Sequence, residues 1–175
     1  AVGIVLDSSD RKEVEERQRV MLREMNHRVK NTLAVVQAIV SQTIRLTRDP
    51  QEAFEQIQSR VMSIARTHDF LDQSHVGESS IRGLVALELE PLAGDTPLRL
   101  RLGGPSVLLG SSAVLSLGLT LHELGTNAVK YGALAVPEGR VEVSWFLRDD
   151  KGRTFVDLLW KESGGPTVRT PKRKG

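Results

Sequence analysis

Five polar residues, Ser116, Thr120, Glu123, Asn127 and Lys130, recur every three or four positions within an otherwise apolar stretch from Ser111 to Tyr131. That spacing brings all five onto one face of an α-helix. Burying such a row without partners would be costly, so something polar has to lie against it. A carboxylate, a carboxamide and an ammonium on successive turns suit a phosphate chain that carries a metal. Magnesium takes hard oxygen ligands and keeps several waters, so the Asn127 carboxamide oxygen plus phosphate oxygens make a sensible coordination sphere. Lys130 would neutralise phosphate charge. A polar network tying the helix to a neighbouring sheet is the other arrangement these residues permit.

Two further groups bear chemistry. In His27-Arg28-Val29-Lys30-Asn31, a helical rotation of about 100° per residue turns His27 away from Met25 and Val29 and puts Asn31 one turn on, on the same side. An outward neutral imidazole is a good nucleophile near pH 7, although an ordinary solvated histidine has the same pattern. His68 instead continues the apolar series Ile57, Val61, Ile64 and Leu71, which predicts a core histidine, and His75 falls in a polar segment with no assigned role. The third group is Trp160-Lys161-Glu162-Ser163-Gly164-Gly165 at the end of a strand-like run. Paired glycines let backbone approach a flat ligand, and the acid can accept from an exocyclic amine such as adenine N6. A plain glycine turn reads the same way.

The elements that must position these groups follow from periodicity. After the cap-like Asp7-Ser8-Ser9-Asp10, a long helix is expected to about Leu46, with Leu22, Met25, Val29, Val36 and Val40 on one stripe. Pro50 marks a break, and a second helix from about Gln51 carries Phe54, Ile57, Val61 and Ile64. Two such helices form an antiparallel hairpin that covers only one side of each stripe, so a second copy of the chain is the expected partner. Ser74–Ser80 is polar and contains glycine, the pattern of a linker. Beyond it the pattern predicts a helix over 82–90, strands over 98–102 and 107–109, the striped helix, and strands over 140–147 and 154–161 with a turn at 149–152 between them. The class is α+β, a helical hairpin followed by an α/β sandwich.

The bulk numbers narrow the possibilities. The chain has 175 residues, 39% hydrophobic and 26% charged, a net charge of +2 and no cysteine. Disulfides, thiolate metal sites and cysteine nucleophiles are excluded. The charge is too small to argue for nucleic acid, and the basic segment Arg169–Lys174 reads as a solvated tail. No apolar run approaches the ~20 residues of a membrane span and no signal peptide is visible, so a cytoplasmic chain without membrane insertion is expected.

Taken together, an outward histidine on a hairpin, an asparagine-bearing helix and an acid–glycine loop resemble a bacterial sensor histidine kinase of the HWE family. The name denotes a histidine in the asparagine box and a Trp-x-Glu in the first glycine box, found here as His122 and Trp160-Lys161-Glu162. The resemblance spans residues 11–175. It implies a dimerisation and phosphotransfer hairpin over 11–76 and a catalytic ATP-binding domain of the Bergerat type over 77–175, shared with gyrase, Hsp90 and MutL. Residues 1–10 would be the end of an upstream sensory domain of the PAS type. Carried onto this sequence, it makes His27 the phosphoacceptor, with Asn31 beside it, and Asn127 the magnesium ligand. It implies that Glu123 shares in both catalysis and nucleotide binding, that His122, Lys130, Tyr131, Trp160 and Glu162 line the ATP site, and that Gly164 and Gly165 form the glycine box.

Two positions depart from the pattern. Many histidine kinases place an acid directly after the phosphoacceptor, whereas Arg28 stands here, which leaves water or Glu24 as the base. The sequence also stops at Gly175, where a second glycine box is expected, so the catalytic domain reads as incomplete. The implied function is autophosphorylation of His27 from Mg-ATP and transfer to the aspartate of a response-regulator receiver domain. The rival readings are a Bergerat ATPase or an anti-sigma-type serine kinase, and a silent dimerisation scaffold.

Overall fold

The computed structural model describes residues 9–73, 78–94 and 97–167. Residues 1–8 of the expected sensory-domain remnant over 1–10, His75, and the end of the glycine-box segment with the basic tail over 168–175 lie outside these residues. By internal contacts the chain divides into two compact units, Ala1–Gln58 and Ser59–Gly175.

The first unit holds α1 (Ser9–Leu46) and the opening turns of α2 (Pro50–Gln73). Asp49 caps α2, its Oδ1 accepting from Gln51 N at 2.9 Å. Pro50 takes the first helical position, where a missing N–H is no loss. Near the connection Ile39, Thr43 and Ala53 are buried, and the Thr43 hydroxyl donates back to Ile39 O at 2.8 Å. The apolar stripes are otherwise open: Val29 is 52% exposed, Leu33 61% and Phe54 61%. These are the sides that two helices alone leave uncovered.

The second unit is mixed α+β. It takes the rest of α2, then β1 (Glu78–Ser80), α3 (Ile81–Ala93), β2 (Leu100–Gly103), β3 (Leu108–Gly110), α4 (Ser111–Lys130), β4 (Arg140–Asp150) and β5 (Arg153–Ser163). The expected linker is partly a strand: β1 pairs antiparallel with β3, Ser80 lying opposite Leu108. Three residues, two of them serine, carry no periodic signal that could have announced it. Ser80 also caps α3, its hydroxyl accepting from Gly83 N at 3.0 Å. The strand expected from Leu98 begins later, because Pro97–Arg99 forms a 3-10 turn. His68, expected in the core, is only half-buried.

The principal sheet has the order β2-β4-β5. β2 runs parallel to β4 and β5 antiparallel, in a register that sets Trp160 opposite Val143 and Glu162 opposite Val141. Val141, Val143 and Trp145 alternate inward along β4 and join Leu84, Val85 and Leu89 of α3 and Val114, Leu121 and Ala128 of α4 in one core. α4 lies close to its neighbours at glycines: a Cβ at Gly125 would sit 2.8 Å from Leu89 Cδ2, and one at Gly118 2.8 Å from Thr67 Oγ1. The β4–β5 hairpin closes through Lys151-Gly152, both left-handed at φ 54° and 76°, as a type I′ turn requires. Among the described residues no helix is long and apolar enough to cross a membrane.

Candidate functional site

The polar stripe lies on the open side of α4. The helix buries Val114, Gly118, Leu121, His122, Gly125 and Ala128, so its core face is narrower than the apolar composition implied. Ser116 and Thr120 are exposed and donate back along the helix, to Ser112 O at 3.0 Å and Ser116 O at 2.9 Å. Asn127, Lys130 and Tyr131 are exposed at its C-terminal end. A carboxamide and an ammonium therefore face outward within one turn of each other.

That end of α4 runs into a tightly packed corner. Tyr131 N and Gly132 N donate to Asn127 O, at 2.8 and 3.1 Å, which closes the last turn. The Glu162 carboxylate, arriving from β5, is held on both oxygens: Oε2 accepts from Ala133 N at 2.6 Å and Oε1 from the Trp160 indole at 2.9 Å. Gly165 lies against Ala133, where a Cβ would come within 2.9 Å of its backbone N, and Gly164 adopts φ 70° beside Glu138. Thus the structure brings together Trp160, Glu162, Gly164, Gly165 and the end of the asparagine helix. Arg99 pins the same loop, donating to Leu134 O and Val136 O at 2.8 Å each.

His122 sits apart from that surface. It is 5% exposed and faces protein on both ring nitrogens. Nε2 shares a 2.9 Å hydrogen bond with Ser59 Oγ, and Nδ1 lies 3.3 Å from Glu88 Oε2, off the angle of a good hydrogen bond. Glu88 is itself buried and gathers Ser63 Oγ at 3.1 Å, Thr67 Oγ1 at 3.3 Å and Arg66 Nη2 at 3.1 Å. Burial pushes its carboxyl up. His122, Arg66 and Ser63 more than offset this, so its pKa is held below the ordinary value. Glu123, the next residue on α4, is gripped by Arg60 of α2 through both oxygens.

The sequence reading missed Arg60, Glu88 and Arg99. A signal for the first two existed: Ser59, Ser63 and Thr67 form a polar row on α2, and Glu88 falls among the apolar residues Leu84, Val85, Leu87 and Leu89 of α3. His27 lies in α1 by its backbone, with its side chain outside the described part of the structure, and Asn31 is exposed one turn on. Both belong to the first unit and the α4 stripe to the second.

Residues 24–106 match the family model of the HWE histidine kinases. The chain carries an HWE histidine kinase region. It is similar to the blue-light-activated histidine kinase of Brucella ovis, 36% identical over 174 residues, covering 99% of this chain and 36% of that protein. The blue-light-activated histidine kinase of Brucella anthropi is 37% identical over 174 residues, covering 99% of this chain and 35% of that protein. The chain thus spans about a third of the length of the curated relatives it matches. The family match over 24–106 takes in part of α1, all of α2 and α3 and β2, and the similarity to the relatives extends over α4 and β5 as well.

Proposed function

We propose that this chain is the core of a sensor histidine kinase, which transfers the γ-phosphoryl group of Mg-ATP to His27 and then to an aspartate on a response-regulator receiver domain. The observation that carries the reading is the open Asn127–Lys130 face of α4, ending beside the clamped Glu162 and the Gly164-Gly165 pair. Residues 11–76 act as the dimerisation and phosphotransfer hairpin and 77–175 as the Bergerat-type ATP-binding domain, downstream of a sensory domain. The uncovered faces of α1 and α2 support pairing with a second copy.

The donor chemistry fits magnesium arriving with the nucleotide. Asn127 presents one hard oxygen from an exposed position, which leaves most of the coordination sphere to phosphate and water. When bound, the ion neutralises phosphate charge. Lys130 adds a cation one turn away. Glu162 keeps free lone pairs on anchored oxygens and accepts from the adenine amine, with Trp160 steadying it. Tyr131 flanks the base. His122 contributes by fixing α4 from beneath. Asn31 orients the His27 imidazole, whose nitrogen attacks the γ-phosphorus. Positioning and charge neutralisation supply most of the rate in such transfers.

Acid lability tests this against an ATPase or a serine kinase. The full-length protein incubated with labelled ATP should carry a label that acid removes and alkali spares. A label that survives acid would favour a serine kinase, and hydrolysis without any label an ATPase.

A further inference from the structure

Glu123 stands one turn before Asn127, yet its carboxylate is turned to α2. Arg60 Nε meets Oε1, and Nη2 lies 2.9 Å from Oε2. The Arg60 side chain is 19% exposed and that of Glu123 41%, so the pair is sheltered more than an open surface contact. A guanidinium fork on a carboxylate is the strongest form of this pairing, and it leaves both oxygens weak partners for anything else.

The position of Arg60 along α2 adds meaning. α2 is one helix from Pro50 to Gln73, and the division between the compact units falls within it, after Gln58. Arg60 therefore lies two residues beyond that division, on a helix that both units share. Ser59 and Ser63 flank it and reach His122 and Glu88, at 2.9 and 3.1 Å. This side of α2 thus meets α4 and α3 through hydrogen bonds and charge. Further along, Phe70 and Leu71 of α2 join the apolar core, whereas the Arg60–Glu123 pair is partly open to solvent and can exchange its partners for water without that core being opened.

We propose that Arg60 is a positioning residue that acts through Glu123. With the fork closed, the carboxylate is withheld from the phosphate face of α4 and phosphoryl transfer is slow. Displacement of α2 releases it. The inference rests on the reading of the α4 stripe as that phosphate face.

The test is the initial rate of autophosphorylation of the full-length kinase at saturating Mg-ATP. Arg60→Gln should raise that rate at least about fivefold, the low end of coupling between sites, and leave KM for ATP nearly unchanged. Arg60→Lys, which keeps the cation without the planar fork, should fall between the two. In a Glu123→Gln background the Arg60 substitutions should make no difference. An Arg60→Gln rate at or below that of the unaltered kinase overturns the inference, and so does a gain that persists without the Glu123 carboxylate. A mere brace would show instead as a lower unfolding temperature with a reduced rate in both backgrounds. Absence of His27-dependent label in the unaltered kinase would overturn the reading of the site itself, so the two failures are distinguishable.

Discussion

Glu88 is the residue on which the second unit's polar interior turns. Its carboxylate has no solvent, and its four partners come from α2 and α4. Removing it would leave His122 and the Ser63 and Thr67 hydroxyls without their acceptor, while Arg66 is partly open to solvent, so a cost of about 1–3 kcal/mol is expected. Glu88→Ala should therefore lower the urea midpoint sharply, while Glu88→Gln, which keeps an acceptor oxygen, should cost less. The pH dependence follows from the depressed pKa in the folded state. Such a group stabilises above its unfolded value of about 4.3 and loses that contribution as the pH falls through its folded value. The stability gap between the unaltered protein and Glu88→Gln should be widest near neutrality and narrow in acid. A gap that widened below about pH 4.3 would contradict this assignment. The sequence marks Glu88 only as an acid among apolar neighbours, and its four partners were not legible there. His122 was legible as a motif residue, but not as a buried one, because burial depends on where α2 lies.

At the scale of elements, strong periodicity was readable and contact geometry was not. β4 and β5 were expected nearly in place, since inward Val141, Val143 and Trp145 alternate with polar residues. The helix break at Pro50 was readable from its turn chemistry. β1 escaped because its pairing with β3 is a tertiary fact that three residues cannot encode. Of the α4 stripe, Ser116, Thr120, Asn127 and Lys130 share an open face while Glu123 turns to Arg60, and the helix, expected to be enclosed, shows that face to solvent. Two substitutions test these elements. Gly118→Val would drive a branched side chain into Thr67 and should cost roughly 1–3 kcal/mol by denaturant unfolding. Lys151→Asn should go the other way, because Asn accepts the left-handed backbone that Lys151 adopts at φ 54°. A gain of about 0.5–1 kcal/mol in thermal unfolding is expected, and a loss would show that the turn is not type I′.

For the whole molecule, the account requires a nucleotide site in one compact unit and a phosphoacceptor in the other. The HWE match and the relatives point to the histidine kinases, and the motifs behind that resemblance were the most legible feature of the sequence. Ligand linkage probes the first part alone. Mg-ATP at about a hundred times its dissociation constant should stabilise the full-length protein by about 2.7 kcal/mol, and Asn127→Ala should abolish most of that shift. The second part depends on the imidazole.

The most direct measurement is transfer of label from γ-labelled ATP to the full-length kinase, compared among the unaltered protein, His27→Gln and Asn127→Ala. The account predicts an acid-labile label in the first and none above background in the other two. Label that persists on His27→Gln would place the phosphoryl group elsewhere, and label undiminished in Asn127→Ala would remove the α4 face from the reaction.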